Sequence, residues 1–149
     1  MAHLLILRLD GVRLGLPATQ VERLLRASWV ERLPGAPAAV LGAIDAAGRI
    51  LPVIDLRHVL GLPTRMTRPS DCFVVAHTGR RTVALLADSG EGIRELDEND
   101  VTPVRGVAPG VAQVSGLLRL ADGLVLIHDL GALLSLDDER ALDAALETA

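Results

Sequence analysis

The stretch Arg49-Ile-Leu-Pro-Val-Ile-Asp-Leu-Arg-His-Val-Leu-Gly-Leu62 begins as a strand and ends as something else. RILPVID is an apolar run with β-branched residues, whereas DLRHVLGL changes period. The chain repeats the pattern at Gly123-Leu-Val-Leu-Ile-His-Asp-Leu-Gly-Ala-Leu-Leu-Ser-Leu136. The aspartates align at an offset of 74 (129 minus 55). Held fixed, this offset sets Val40 on Val114, Gly42 on Gly116, Ile44 on Leu118, Leu56 on Leu130 and Leu62 on Leu136, without a gap. A match of apolar and turn positions over such a span marks an internal duplication.

Upstream, the echo is looser. LLILRLDGVRLGLP reads as a hairpin turning at Asp10-Gly11, and CFVVAHTGRRTVALLAD as its counterpart. The second hairpins turn at Ala46-Ala47-Gly48 and Ala121-Asp122-Gly123. Pro17–Leu25, with Val21, Leu24 and Leu25 at helical spacing, predicts a turn or two of helix. Asp88-Ser-Gly-Glu-Gly92 reads as a turn, and 97–110 as an exposed loop. The expected fold is mainly β: two pseudo-repeated five-stranded barrels, with halves at about 1–66 and 67–136 and short helices. Residues 137–149 predict a helical tail with Ala141, Leu142, Ala145 and Leu146 on one face, capped by Asp137 or Asp138.

Asp55 and Asp129 stand where a strand ends and a helix begins. A carboxylate there accepts from the first free N–H groups, so both are read as structural caps.

Composition narrows function. The 149 residues carry a net charge of −4, with 15 basic and 19 acidic side chains and only two aromatics, one Trp and one Phe. No basic run could neutralise a phosphate backbone, and there are few faces for stacking bases, so no nucleic acid is expected. The single Cys72 reads as strand packing. The N-terminus lacks a basic start and a cleavage site, and no apolar run approaches the roughly 20 residues of a membrane helix. The sequence reads as a soluble cytoplasmic protein without membrane insertion.

Catalytic signals are sparse. His58 and His128 belong to different repeats, short of a metal-ligand set, so neither a metal nor another cofactor is expected. No serine stands in a nucleophile elbow, and no phosphate loop is present. A small hydrolase using Asp55, His58, His128 and Asp129 is the enzymatic alternative, and it requires one pocket joining all four.

The run Leu33-Pro-Gly-Ala-Pro through Pro52-Val-Ile-Asp-Leu-Arg57, together with the Gly79–Asp88 and Gly116–Leu130 segments, resembles the CheW-like domain of bacterial chemosensory systems. The resemblance covers 1–136. It implies two SH3-like five-stranded barrels and a non-catalytic signalling adaptor. Such adaptors couple the cytoplasmic tips of chemoreceptors to a CheA-like histidine kinase, whose regulatory domain shares the fold. It also implies that Val40, Gly42, Ala47, Gly48 and Arg49 lie in the receptor-facing, partner-binding region. Core packing accounts for Val40 and Gly42 equally well, a turn accounts for Gly48, and a solvated surface position accounts for Arg49. The family's Asn-Leu-Arg-Gly is here Asp45-Ala46-Ala47-Gly48, so Ala47 replaces the arginine implicated in receptor contact. A scaffold that competes with the ordinary adaptor is a further reading of that departure.

Overall fold

The computed structural model describes residues 2–103 and 114–148. Among these residues eleven strands run β1 (Ala2–Leu9), β2 (Val12–Pro17), β3 (Val21–Arg26), β4 (Val40–Ala46), β5 (Arg49–Asp55), β6 (Cys72–His77), β7 (Thr82–Ala87), β8 (Ser89–Leu96), β9 (Val101–Pro103), β10 (Val114–Leu120) and β11 (Gly123–His128). Helix α1 (Leu56–Val59) is a single turn, and α2 (Leu136–Glu147) closes the chain. Three 3-10 turns complete the elements, at Ala18–Gln20, Glu98–Asp100 and Leu130–Ala132.

The strands form a six-stranded sheet in the order β8-β1-β2-β11-β10-β9 and a five-stranded sheet in the order β3-β6-β7-β5-β4. The duplication is visible in both. Replacing β8, β1, β2, β11 and β10 by β3, β6, β7, β5 and β4 converts one order into the other, with β9 as the extra strand of the larger sheet. The same irregularity interrupts β4–β5 between Val40 and Gly42 and β10–β11 between Val114 and Gly116. In both sheets a hairpin joins its neighbour through one parallel pair, β5–β7 and β11–β2.

Repeat units and sheets do not coincide. The N-terminal hairpin β1–β2 pairs with strands of the second half, while β6–β7 pairs with strands of the first. The leading hairpin of each sequence repeat thus pairs in the sheet that holds the other repeat's remaining strands.

The exchange explains why those hairpins are apolar on both faces. Leu4 and Ile6 of β1 enter one barrel's interior with Leu118 and Val125. Phe73 and Val75 of β6 enter the other with Val53 and Leu51. The alternate residues Leu5, Leu7 and Leu9, and Val74 and Ala76, meet in a third core along the seam between the barrels. Strands buried on both faces read as continuous apolar runs. Each also places successive side chains in different cores, because side chains alternate along a strand.

The second barrel closes where chain leaving β3 returns to β4. Glu31 and Ala43 exchange backbone hydrogen bonds of 2.9 and 2.8 Å. Gly42 permits this approach, because a Cβ there would lie 1.9 Å from the Glu31 carbonyl oxygen.

Three local expectations are corrected. Residues 21–26 form β3 rather than a helix, because pairing with β6 satisfies the backbone where a short isolated helix would be marginal. Residues 89–96 form β8 along β1 rather than a turn. The start of α2 is capped by Ser135, with Asp138 completing a reciprocal capping box. In the predicted 97–110 loop a 3-10 turn and β9 occupy 98–103, and 104–110 lies outside the described residues.

Helix α2 packs against the seam through Leu142 and Ala145. It is also tied to the β6–β7 connection, where Arg81 Nε donates to Glu139 at 2.8 Å and the same guanidinium reaches Asp143.

Candidate functional site

The motif Pro52-Val-Ile-Asp-Leu-Arg57 performs several structural tasks in sequence. Val53 fills a barrel, while Ile54 and Leu56 fill the seam. Asp55 Oδ1 accepts from Arg57 N at 3.0 Å, capping α1. Asp129 Oδ1 accepts from Gly131 N at 3.0 Å, where it caps a 3-10 turn instead of an α-helix.

Arg57 is buried and forms the hub of an ion network. Its guanidinium donates to Asp10 at 2.8 and 2.9 Å, to Asp88 at 2.9 and 2.7 Å, and to the Pro63 carbonyl at 3.1 Å. Arg65 extends the network, donating to Asp71 at 2.9 and 2.8 Å and to Asp88 at 2.7 Å. Hydrogen bonding from Arg57 holds the Asp10 carboxyl below its ordinary range. Burial pushes Asp71 upward, but bonds from Arg65 and the Arg68 amide outweigh it and leave Asp71 lowered. The network fixes the connection 63–71. Its signal in the sequence was dispersed over separate Arg and Asp residues and was missed.

The five positions of the expected partner surface separate into two groups. Val40 is buried in the seam core and Gly42 is buried against Glu31. Ala47, Gly48 and Arg49 are exposed at the tip of the β4–β5 hairpin. Ala47 has φ 54° and Gly48 φ 88°, the positive values a two-residue type I′ turn requires. Gly48 N donates to Asp45 Oδ1 at 2.8 Å, which fixes the turn.

Arg49 reaches Glu22 on β3, and His77 at the end of β6 lies 3.5 Å from the same carboxylate. The hydrogen bond from Arg49 holds Glu22 below the usual carboxylate range. The other barrel repeats part of this cluster at an offset of 69 (91 minus 22, and 77 minus 8): Glu91 lies 3.1 Å from Arg8. Arg49 is therefore a half-exposed cation at the hairpin tip, with one guanidinium nitrogen on Glu22 and the other donors free of side-chain partners among the described residues.

The four groups of the hydrolase alternative do not share a described cavity. His58 lines a cleft with Leu133 and Asp138, and none of the other three lines it. Both aspartates are engaged as caps. His128 is 1% exposed, and neither ring nitrogen has a hydrogen-bond partner. Desolvation pushes its pKa down. Among the described residues no group of three His, Cys, Asp or Glu side chains could hold a metal ion. No helix there is long and apolar enough to cross a membrane.

Comparison with known proteins agrees with this architecture. The family model described as the CheW-like domain matches residues 3–138. Protein FrzA of Myxococcus xanthus is 32% identical over 116 residues, covering 73% of this chain and 72% of the relative. Chemotaxis protein CheW of Rhizobium meliloti is 26% identical over 111 residues, with the same coverages. The crystal structure of scaffolding protein TtCheW from Thermoanaerobacter tengcongensis superposes with a TM-score of 0.84 at 22% identity, covering 92% of this chain and 94% of that one.

Proposed function

The chain belongs to the CheW-like domain family, and from that premise we propose that it is a non-catalytic adaptor holding a chemotaxis-type histidine kinase and chemoreceptors in one assembly. The observation that supports this most is the family match across 3–138, on a fold of two barrels with separate outer surfaces. An adaptor needs two faces held at fixed separation. The shared seam core and the Arg57 network supply that rigidity.

The two contacts are unequal in this reading. A barrel surface for the homologous kinase regulatory domain depends on the fold. Receptor contact in the family's manner depends on a hairpin-tip arginine, and position 47 holds alanine. Losing a guanidinium removes five donors and a permanent charge. The adaptor accordingly binds the kinase domain more tightly than the receptor tip, working in the cytoplasm where both are found.

Titration calorimetry with the kinase regulatory domain and a receptor-tip fragment from the same genome tests this. Expected is tighter kinase binding, with Ala47→Arg raising receptor affinity about tenfold, some 1.4 kcal/mol, and leaving kinase affinity unchanged. Binding to neither partner overturns the adaptor reading. Tight receptor binding that Ala47→Arg weakens overturns only the asymmetry. A competing scaffold is the second reading, supported by Ala47. It predicts that the protein lowers receptor-coupled kinase activity when added to a complete array.

A further inference from the structure

Glu22 and Glu91 are the same residue of the two repeats. Each is the extra residue of a bulge: Glu22 between Val21 and Arg23 opposite Ala76 and Val75, Glu91 between Gly90 and Gly92 opposite Leu7 and Ile6. The offset of 69 (91 minus 22) also sets His77 on Arg8 and Thr82 on Arg13. Glu91 holds two permanent cations at once, Arg8 Nε at 3.1 Å and Arg13 Nε at 3.0 Å. Glu22 holds one, Arg49, and faces His77 Nε2 across 3.5 Å. Where one barrel meets its glutamate with arginine, the other offers an imidazole, the side chain whose charge changes within the physiological pH range.

The ring is fixed and the carboxylate is not. Thr82 Oγ1 lies 2.7 Å from His77 Nδ1. A hydroxyl donates to that nitrogen when the ring is neutral and accepts from it when the ring is charged, so both states are satisfied without moving the ring. Arg49 holds Glu22 through a single nitrogen, at Oε2, and both side chains are partly exposed. A pair of this kind favours its closed state by no more than about fivefold. Oε1 faces His77 at a distance beyond the about 2.7–2.9 Å of a charge-assisted bond. Closing that gap turns Oε1 toward the ring and loosens the one bond at Oε2.

The surrounding charges leave Glu22 as the contested group. Among the described residues it is the only carboxylate paired with either Arg49 or His77. Asp45, at the same hairpin, accepts from Gly48 N. Arg23 adds attraction for Glu22 from β3. The turn after His77 carries exposed Arg80 and also Arg81, which is committed to Glu139 and Asp143. The bond from Arg49 holds Glu22 below the usual carboxylate range, so Glu22 stays charged while an imidazole titrates.

We propose that His77 is a pH switch on the β4–β5 hairpin: protonation of its ring draws Glu22 across and releases Arg49, so the hairpin tip gains a free guanidinium in mild acid. The other barrel has no such switch, because Arg8 keeps its charge. The device is intrinsic to the barrel and goes beyond the adaptor reading.

Carbon-detected NMR of the full chain between about pH 8 and pH 5.5, the range in which imidazoles titrate, tests it in wild type, His77→Asn and Glu22→Gln. His77 Cε1 reports ring protonation, while Glu22 Cδ and Arg49 Cζ report the pair, with Arg49 in Glu22→Gln as the unpaired reference. Amide spectra control for folding. Expected in wild type is an inflection of Glu22 Cδ and Arg49 Cζ at the pH where His77 Cε1 inflects, with the paired fraction of Arg49 falling about two- to fivefold. Arg49 Cζ should stay level in His77→Asn, and in Glu22→Gln it should stay level while the ring still titrates. A wild-type Arg49 signal that holds level while His77 titrates overturns the switch. So does an inflection that survives in His77→Asn. Both results leave the adaptor reading standing, because the measurement contains no partner.

Discussion

Arg57 and Asp10, 47 positions apart, are joined by two parallel hydrogen bonds of 2.8 and 2.9 Å. The pair ties α1, at the end of one barrel, to the first hairpin of the other. Asp88 adds a second link, because its Oδ2 accepts both from Arg57 and from the Asp10 amide, the latter at 2.8 Å. Adaptor function requires the two barrels to keep one relative orientation. The seam core supplies area for this, but apolar packing is non-directional. The fork geometry of a guanidinium between two carboxylates supplies direction.

Replacing Arg57 by Met strips Asp10 of its cation and leaves the largely buried Asp88 with Arg65 as its one remaining guanidinium partner. The expected cost is about 3 kcal/mol, at the low end for a broken buried pair because Asp10 keeps contact with water. Arg57→Lys recovers only part, since an ammonium cannot span both carboxylates in parallel. Urea denaturation of the three proteins measures this. Equal midpoints for wild type and Arg57→Met contradict the clamp.

Gly42 and Gly116 occupy the same bulge in the two repeats but differ in what surrounds them. A Cβ at Gly42 would meet backbone, the Glu31 oxygen at 1.9 Å, whereas one at Gly116 would meet the Val101 Cγ1 at 2.7 Å. A carbonyl held in a bridge cannot rotate away. Gly42→Ala therefore destabilises by at least about 3 kcal/mol, and Gly116→Ala by roughly 1–2 kcal/mol, in the range of overpacking. Thermal unfolding of both variants distinguishes them, and the reverse order would refute the closure at Glu31–Ala43.

The duplication was legible because positions from Ile44 to Leu60 and from Leu118 to Leu134 make equivalent contacts: barrel interior, seam, cap. The exchange of hairpins was not, since a parallel pairing such as Val53 with Ala84 leaves no local trace. Strands β3 and β8 were missed for a related reason. VERLLR and SGEGIREL are mostly exposed and lack strand alternation, so only their partners β6 and β1 make them strands. At the candidate site the turn chemistry of Ala47-Gly48 was readable, but the pairing of Arg49 with Glu22 was not, because it crosses between strands 27 residues apart.

Among the described residues, Ala47 is one of two non-glycine residues with positive φ, the other being Asp10. An L-residue with a plain Cβ in that region costs about 1–2 kcal/mol. Asn tolerates it better and is favoured before glycine in type I′ turns. Ala47→Asn should stabilise by about 1 kcal/mol, read as a higher denaturation midpoint at unchanged slope. A lower midpoint would contradict the turn geometry.

His128 stands where the repeat places Ile54, at the same offset of 74 (128 minus 54), a position that in the first copy belongs to the seam core. Its imidazole is buried, neither nitrogen is hydrogen-bonded, and desolvation lowers its pKa from the ordinary 6.5. The charge of Asp129 opposes that shift but does not cancel it. The unfolded chain therefore binds the proton first. Stability is complete above about pH 6.5 and falls as the pH drops below it, until the folded-state pKa is passed. Loss through the lowered Asp10 and Asp71 has the same sign but begins below the ordinary aspartate value of 3.8, so the two ranges separate. His128→Ile restores the first repeat's residue and removes the titrating group. Urea midpoints at pH 7.5 and 5.5 should fall for wild type and stay level for His128→Ile, with the variant more stable at both. A wild-type midpoint that holds level across that interval would mean that His128 finds a proton acceptor or solvent in the folded protein.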